Sequence, residues 1–215
     1  MPKYTVEFIG TYFLVLAIGC TAIPGSDSPL VPAFGIAAVL AAVIYAGGHV
    51  SRAHYNPAIT LAFRLRKECA PRDVAPYVAA QLAGALSAAL TARFLVGAGT
   101  PLEIECFGRA LVAEIVFTFA LAWVILNVAI SRGTAGNGFY GIAIGLIVAG
   151  AILAVGDVSG AALNPAVAIA LAALSLMNPA DIWIPIAGSL VGAALAAFAF
   201  GAIERAAHAE TDPGD

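Results

Sequence analysis

Charge is what this sequence has least of. Ten Lys/Arg and thirteen Asp/Glu make up 11% of 215 residues, where a soluble domain carries about 25%. The net charge of −3 leaves no basic excess for a nucleic-acid surface. The three cysteines, Cys20, Cys69 and Cys106, are odd in number and far apart. They form no CxxC pair, so neither a disulfide framework nor a zinc site follows; their spacing suits buried apolar residues or plain loop thiols. No phosphate loop or dinucleotide fingerprint is present, because pairs such as Gly97/Gly99 lack a strand–turn–helix setting. A cleaved signal peptide is not expected, since the first apolar stretch carries Glu7 and is one of several equal ones. What abounds is apolar sequence, at 61% hydrophobic residues. The chain is an integral membrane protein.

A bilayer core of roughly 30 Å takes about 20 apolar residues as helix. Six segments of that length lie between charges: Tyr4–Ile23, Leu30–His49, Val74–Ala92, Ala110–Ile130, Gly138–Gly156 and Ile182–Ile203. Four hold no Asp, Glu, Lys or Arg; the first carries Glu7 and the fourth Glu114. The expected fold class is all-α and transmembrane. With both ends inside, Lys3, Arg64, Arg66, Lys67, Arg72, Arg132 and Arg205 fall on the cytoplasmic side, and Arg93 and Arg109 outside. Arg52 left aside, that asymmetry favours cytoplasmic termini. The residues after Ile203, with His208, Glu210, Asp212 and Asp215, read as a short solvated tail over 204–215.

Two pieces, Asn56–Lys67 and Asn164–Met177, are too short to span, and each opens with Asn-Pro. Asn is a favoured N-cap and Pro a favoured first helical residue, so both predict helix starts. Inside a bilayer such an end is tolerable only if buried in protein or facing a wet cavity; the alternative is a pair of amphipathic interfacial helices. A shift of 108 positions superposes Val50-Ser51 on Val158-Ser159, Ala53 on Ala161 and Asn56-Pro57-Ala58 on Asn164-Pro165-Ala166. The same shift places Gly84-Ala85 on Gly192-Ala193, and an offset of 107 places Glu7 and Thr11 on Glu114 and Thr118. The single domain over 1–215 is therefore expected to be a tandem duplication, with repeats over 4–96 and 109–203. Three spans per repeat turn the second upside down, and inverted repeats place their site near the midplane. The two short helices should then enter from opposite faces and meet at their Asn-Pro ends.

Each helix N-terminus carries about half a positive charge and free N–H donors, and Asn56 and Asn164 add amide donors. A neutral hydroxylated molecule can hydrogen-bond there, whereas a cation meets a barrier. Glu7 and Glu114 are costly in lipid, at roughly 2.5–3.5 kcal/mol each on insertion scales, so each needs partners or a task. Their symmetric placement favours a scaffold role, accepting hydrogen bonds from the loop before each Asn-Pro helix; the alternative is a proton relay in a coupled secondary transporter. Gln81 and Asn127 are expected to bond across helices, and Thr11 and Thr118 to be packing hydroxyls. No nucleophile–base pair or metal cluster suggests an enzyme.

Over residues 4 to about 205 the chain resembles the major intrinsic protein superfamily, the aquaporins and aquaglyceroporins. The likeness rests on Gly48-His49-Val50-Ser51 and His54-Tyr55-Asn56-Pro57-Ala58, on Gly156-Asp157-Val158-Ser159-Gly160-Ala161 before Asn164-Pro165-Ala166, and on the two membrane glutamates. The resemblance implies an aquaporin-like six-helix bundle with two half-helices, one pore per subunit and a homotetramer. It also implies passive flow of small neutral solutes across a bacterial inner (plasma) membrane, with no cofactor, metal or nucleic-acid partner. Most members have arginine three residues after the second Asn; here that position is Val167. The other constriction positions fall on Ile36, Ile152 and Ala161. All four are apolar, which predicts a constriction wider and less polar than that of a strict water channel. Glycerol-selective relatives normally keep the arginine. Candidate solutes are water, polyols, urea, ammonia and neutral metalloid hydroxides such as arsenous acid, because a metalloid-permeable bacterial branch also has an aliphatic residue there. Arg52 stands where most relatives have a small residue and is a vestibule candidate with His54: either a displaced positive filter or a side chain that reaches headgroups or a loop carbonyl. His49 and His54 are expected in packing and loop hydrogen bonding rather than metal binding.

Overall fold

The computed structural model describes residues 1–211, with side chains to Ala207. Of the expected tail, Asp212 and Asp215 lie outside the described residues, as do the side chains of His208 and Glu210. The described residues form α1 (Pro2–Ala22), α2 (Leu30–Ser51), α3 (Pro57–Leu65), α4 (Pro71–Val96), α5 (Phe107–Ala129), α6 (Tyr140–Ser159), α7 (Pro165–Ala173) and α8 (Trp183–Thr211), with one 3-10 turn at Arg132–Thr134. Six helices are long and apolar enough to cross a membrane, and each coincides with an expected span. α8 runs to Thr211, so the segment expected to leave the helix at residue 204 continues it. Glu204 contributes to that continuation by pairing with Arg66 at 3.1 Å.

The short helices begin as their sequences dictate. Asn56 is extended at φ −159° and its Oδ1 accepts from the Ala58 N–H at 2.8 Å. Asn164, at φ −161°, accepts from Ala166 at 2.9 Å. Proline follows each, with no N–H to satisfy.

Ion pairs and loop bonds fix the direction of each element. Lys3 pairs with Asp73 at 2.6 Å, which puts the starts of α1 and α4 on one face, called the near face below. Arg66, after α3, joins Glu204 of α8 there. On the far face, the Gly99 N–H donates to the Leu174 carbonyl and Arg93 donates to that of Ala173. α3 therefore runs outward to the near face and α7 to the far face, with both N-termini at the middle.

α1 packs on α4 and α5 on α8, while α3 packs on α8 and α7 on α4, so each short helix leans on the other repeat. Close approach is possible because a glycine sits at each equivalent crossing. A Cβ at Gly84 would collide with the Phe8 carbonyl, and one at Gly192 with that of Ile115. Small residues at such crossings are how membrane helices gain van der Waals contact without a hydrophobic drive between them.

Candidate functional site: a passage between two helix tips

The tips of α3 and α7 are tied to each other. Asn56 Nδ2 donates to the Leu163 carbonyl at 2.8 Å, and Asn164 Nδ2 to the Tyr55 carbonyl at 2.9 Å. Each amide spends its Oδ1 on its own helix and one N–H on the opposite loop. One N–H of each amide has no partner among the described residues, and both asparagines line a single cavity of about 430 Å³.

The loops leading into the tips are strained in the same way. Ala53 and Tyr55 have φ of 50° and 48°, and Ala161 and Leu163 have 44° and 51°. A left-handed non-glycine residue costs on the order of 1–3 kcal/mol. The two membrane glutamates hold these loops. Glu7 Oε1 accepts from Ser51 Oγ at 2.7 Å and the His54 N–H at 2.9 Å; its Oε2 accepts from the Tyr55 N–H at 2.7 Å and Gln81 Nε2 at 2.8 Å. Glu114 Oε1 accepts from Ser159 Oγ at 2.8 Å and Ala162 N–H at 2.9 Å, and Oε2 from Leu163 N–H at 2.8 Å. Both glutamates are fully buried and neither lines the cavity.

The His54 and Ala162 N–H groups turn to the glutamates and those of Ala53 and Ala161 to the Ser51 and Ser159 hydroxyls, so all four residues present carbonyls that accept no hydrogen bond from the described residues. All four residues line the cavity. The passage therefore offers acceptors along two loops and donors where the tips meet, between apolar side chains from several helices.

Ile36, Ile152, Ala161 and Val167, from α2, α6, the second loop and α7, all face this one cavity. Pro57, Ala58, Pro165 and Ala166 are buried and do not line the cavity. Of the vestibule pair, His54 lines the cavity but Arg52 does not. Arg52 caps α2 in the left-handed region at φ 68° and bonds Glu68 at 2.5 Å, which draws its side chain to the near-face loop. That pair is about half exposed, so it contributes at most about 1 kcal/mol. His54 packs at a tilt against Phe63 and Tyr77 at ring-centroid distances of 4.3 and 5.0 Å, and its Nδ1 lies 3.1 Å from Thr60 Oγ1. Its Nε2 is buried without a partner. His54 also borders a side chamber of about 190 Å³ that includes Arg52, Cys69 and Asp73.

Gln81 does bond across helices, to Glu7 of α1 and to Thr60 of α3 at 3.0 Å. Asn127 does not: its Nδ2 donates to the Trp123 carbonyl of its own helix at 2.8 Å. A side-chain amide can share the carbonyl one turn back in its own helix and then needs no neighbour. Thr11 Oγ1 bonds back to the Glu7 carbonyl at 2.8 Å, whereas the Thr118 hydroxyl has no partner. Sequence reasoning missed Tyr55 and Leu163, whose main-chain carbonyls join the two loops. The signal was their shared position immediately before each Asn. It also passed over Asp157, a cavity-lining carboxylate one residue beyond the last expected position of its span.

The family model for the major intrinsic protein matches residues 1–200. The chain is 37% identical to aquaporin NIP1-1 of Zea mays over 215 residues, covering 94% of this chain and 75% of that protein. It is 36% identical to aquaporin AqpM of Methanothermobacter thermautotrophicus, covering 90% and 94%. In fold it is similar to the X-ray structure of the aquaglyceroporin from Plasmodium falciparum, with a TM-score of 0.76, 20% identity and coverage of 91% and 93%. Two opposed half-helices capped by Asn-Pro, enclosed by six spans, define a transmembrane channel for small uncharged solutes. This chain belongs to the major intrinsic protein family. Exclusion of protons and cations by the positive ends of half-helices is the established behaviour of aquaporin-type pores.

Proposed function

We propose that the chain forms a passive pore whose narrow point is the ring of Ile36, Ile152, Ala161 and Val167, wider and less polar than that of a strict water channel. The supporting observation is that these four apolar side chains share one cavity with the asparagine pair. Val167 supplies no donor and no charge where an arginine would supply both. Selection then rests on size and on the cost of dehydration, which carbonyl acceptors and amide donors offset for hydroxylated or amide solutes. The solute class this favours is water with glycerol-like polyols, urea, ammonia and neutral metalloid hydroxides such as arsenous acid.

The single domain is read as two inverted repeats, 4–96 and 109–203, in a bacterial plasma membrane with cytoplasmic termini. The near face holds Lys3, Arg64, Arg66, Lys67, Arg72 and Arg132, which supports that orientation. The functional unit is a homotetramer with one pore per subunit. A proton-coupled transporter needs a carboxylate that meets the transported proton. Glu7 and Glu114 instead lie behind the loops with every oxygen occupied, so the channel reading is preferred.

The test is stopped-flow light scattering on proteoliposomes with water, glycerol, urea and arsenous acid in parallel. Flux of the larger solutes down their gradients, unaffected by an uncoupler, is expected. Val167→Arg should reduce that flux while largely sparing water. Unchanged selectivity in Val167→Arg would overturn the apolar-ring reading, and dependence on a proton gradient would overturn the channel.

A further inference from the structure

The far mouth of the passage carries a negative charge, and the residue that supplies it breaks a general rule of helix chemistry. A helix C-terminus carries about half a negative charge, so its last turn favours a cation. α2 follows this rule, with His49 in its last turn. The equivalent position of α6, 108 residues on, is Asp157, and no basic residue shares that turn. Asp157 is exposed, lines the cavity with Gly156, Gly160 and Thr100, and has no hydrogen-bond or ion-pair partner among the described residues. A carboxylate and the negative end of α6 thus act together at one mouth, with no ion-pair partner among the described residues.

The centre of the passage has the opposite sign. The tips of α3 and α7 and the spare amide hydrogens of Asn56 and Asn164 repel cations there, but the same donors would welcome an anion. The ring of Ile36, Ile152, Ala161 and Val167 bears no charge to refuse one. Resting on the reading of that ring given above, we propose that Asp157 is the residue that excludes anions, acting at the far mouth before they reach the donor-rich centre. Charge selection is then done by two fields of opposite sign in series: the mouth rejects anions and the centre rejects cations. The solute chemistry this separates is a weak acid from its conjugate base, the neutral hydroxyl form passing and the deprotonated form turned back.

The experiment measures the ratio of nitrate to glycerol flux in proteoliposomes, with a potassium ionophore supplying the counter-charge for nitrate. Glycerol flux reports that each protein is folded and open. Asp157→Asn should raise the ratio, and Asp157→Lys should raise it further, by about tenfold, as expected for a charge focused in a low-dielectric mouth. The increase should shrink as an impermeant salt raises ionic strength from about 10 to about 300 mM, because the Debye length falls from about 30 Å to below 10 Å. An identical ratio in wild type, Asp157→Asn and Asp157→Lys, or an increase insensitive to salt, would overturn the assignment to Asp157. Loss of glycerol flux in the wild type would instead overturn the channel reading beneath it.

Discussion

The two repeats solve the same problem with different amounts of polar chemistry. Glu7 accepts four hydrogen bonds and Glu114 three. The difference is Gln81, whose repeat equivalent is Ser189, a residue that bonds within its own helix at 3.2 Å. Around Gln81 the first repeat also holds His54, Thr60 and Tyr77, where the second has Ala162, Ala168 and Pro185. The backbone is nonetheless bent alike, with left-handed residues at matching positions in both loops. One carboxylate with three donors is therefore enough to hold such a loop, and the richer network around Glu7 adds to that minimum.

The largest expected effect separates the two carboxylates. Glu114→Gln places an amide against the Leu163 or Ala162 N–H, with only the Ser159 hydroxyl, already accepting from the Ala161 N–H, beside it to take a hydrogen. Each buried group left unsatisfied costs about 1–3 kcal/mol. Glu7→Gln should do less harm, because Gln81 can turn its unpartnered Oε1 to accept from the new amide. Folded yield and thermal unfolding of the detergent-solubilised protein should rank Glu114→Gln below Glu7→Gln, and the reverse order would undo the comparison.

Where the repeats agree, substitutions should agree too. Gly84→Ala and Gly192→Ala each push a methyl into a carbonyl of the facing helix, a form of overpacking that costs about 1–3 kcal/mol. Their losses in unfolding temperature should match. Converting the first repeat toward the second is milder. Gln81→Leu leaves Glu7 with the three-donor set of Glu114, and a loss of about 1 kcal/mol is expected, with glycerol flux retained. Smallest of all is Arg52→Gly. It removes a half-exposed ion pair worth at most about 1 kcal/mol but relieves a left-handed φ of 68° at the position equivalent to Gly160. The unfolding temperature should stay nearly constant; a large drop would give the Arg52–Glu68 contact an importance its exposure argues against.

Much of this architecture could be read from residue order, because in lipid the backbone must satisfy itself and long apolar runs have few other choices. The meeting of the tips followed from Asn-Pro chemistry and the odd number of spans per repeat. Ile36 and Ile152 lie on the cavity wall because helical periodicity carries across an uninterrupted span, and Ala161 does so because it sits a fixed three residues before Asn164 in the loop. What stayed hidden depends on loop shape. The partner of Arg52 is set by how residues 66–70 fold back, which no local pattern encodes. Asn127 was misread because a side-chain amide gives no sign of whether it will bond to its own helix or to a neighbour. Tyr55 and Leu163 act through carbonyl oxygens, which every residue possesses and no composition reveals.

The reciprocal bonds from Asn56 to Leu163 and from Asn164 to Tyr55 bear on how the protein is made. Until residue 164 has left the ribosome, the Tyr55 carbonyl has no donor and the amide of Asn56 has no acceptor across the gap. α3 likewise waits for α8, which follows it by more than 100 residues. A nascent chain halted after α4 would hold an unfinished hairpin within lipid, and the conduit closes around its axis only once the second repeat has joined the first.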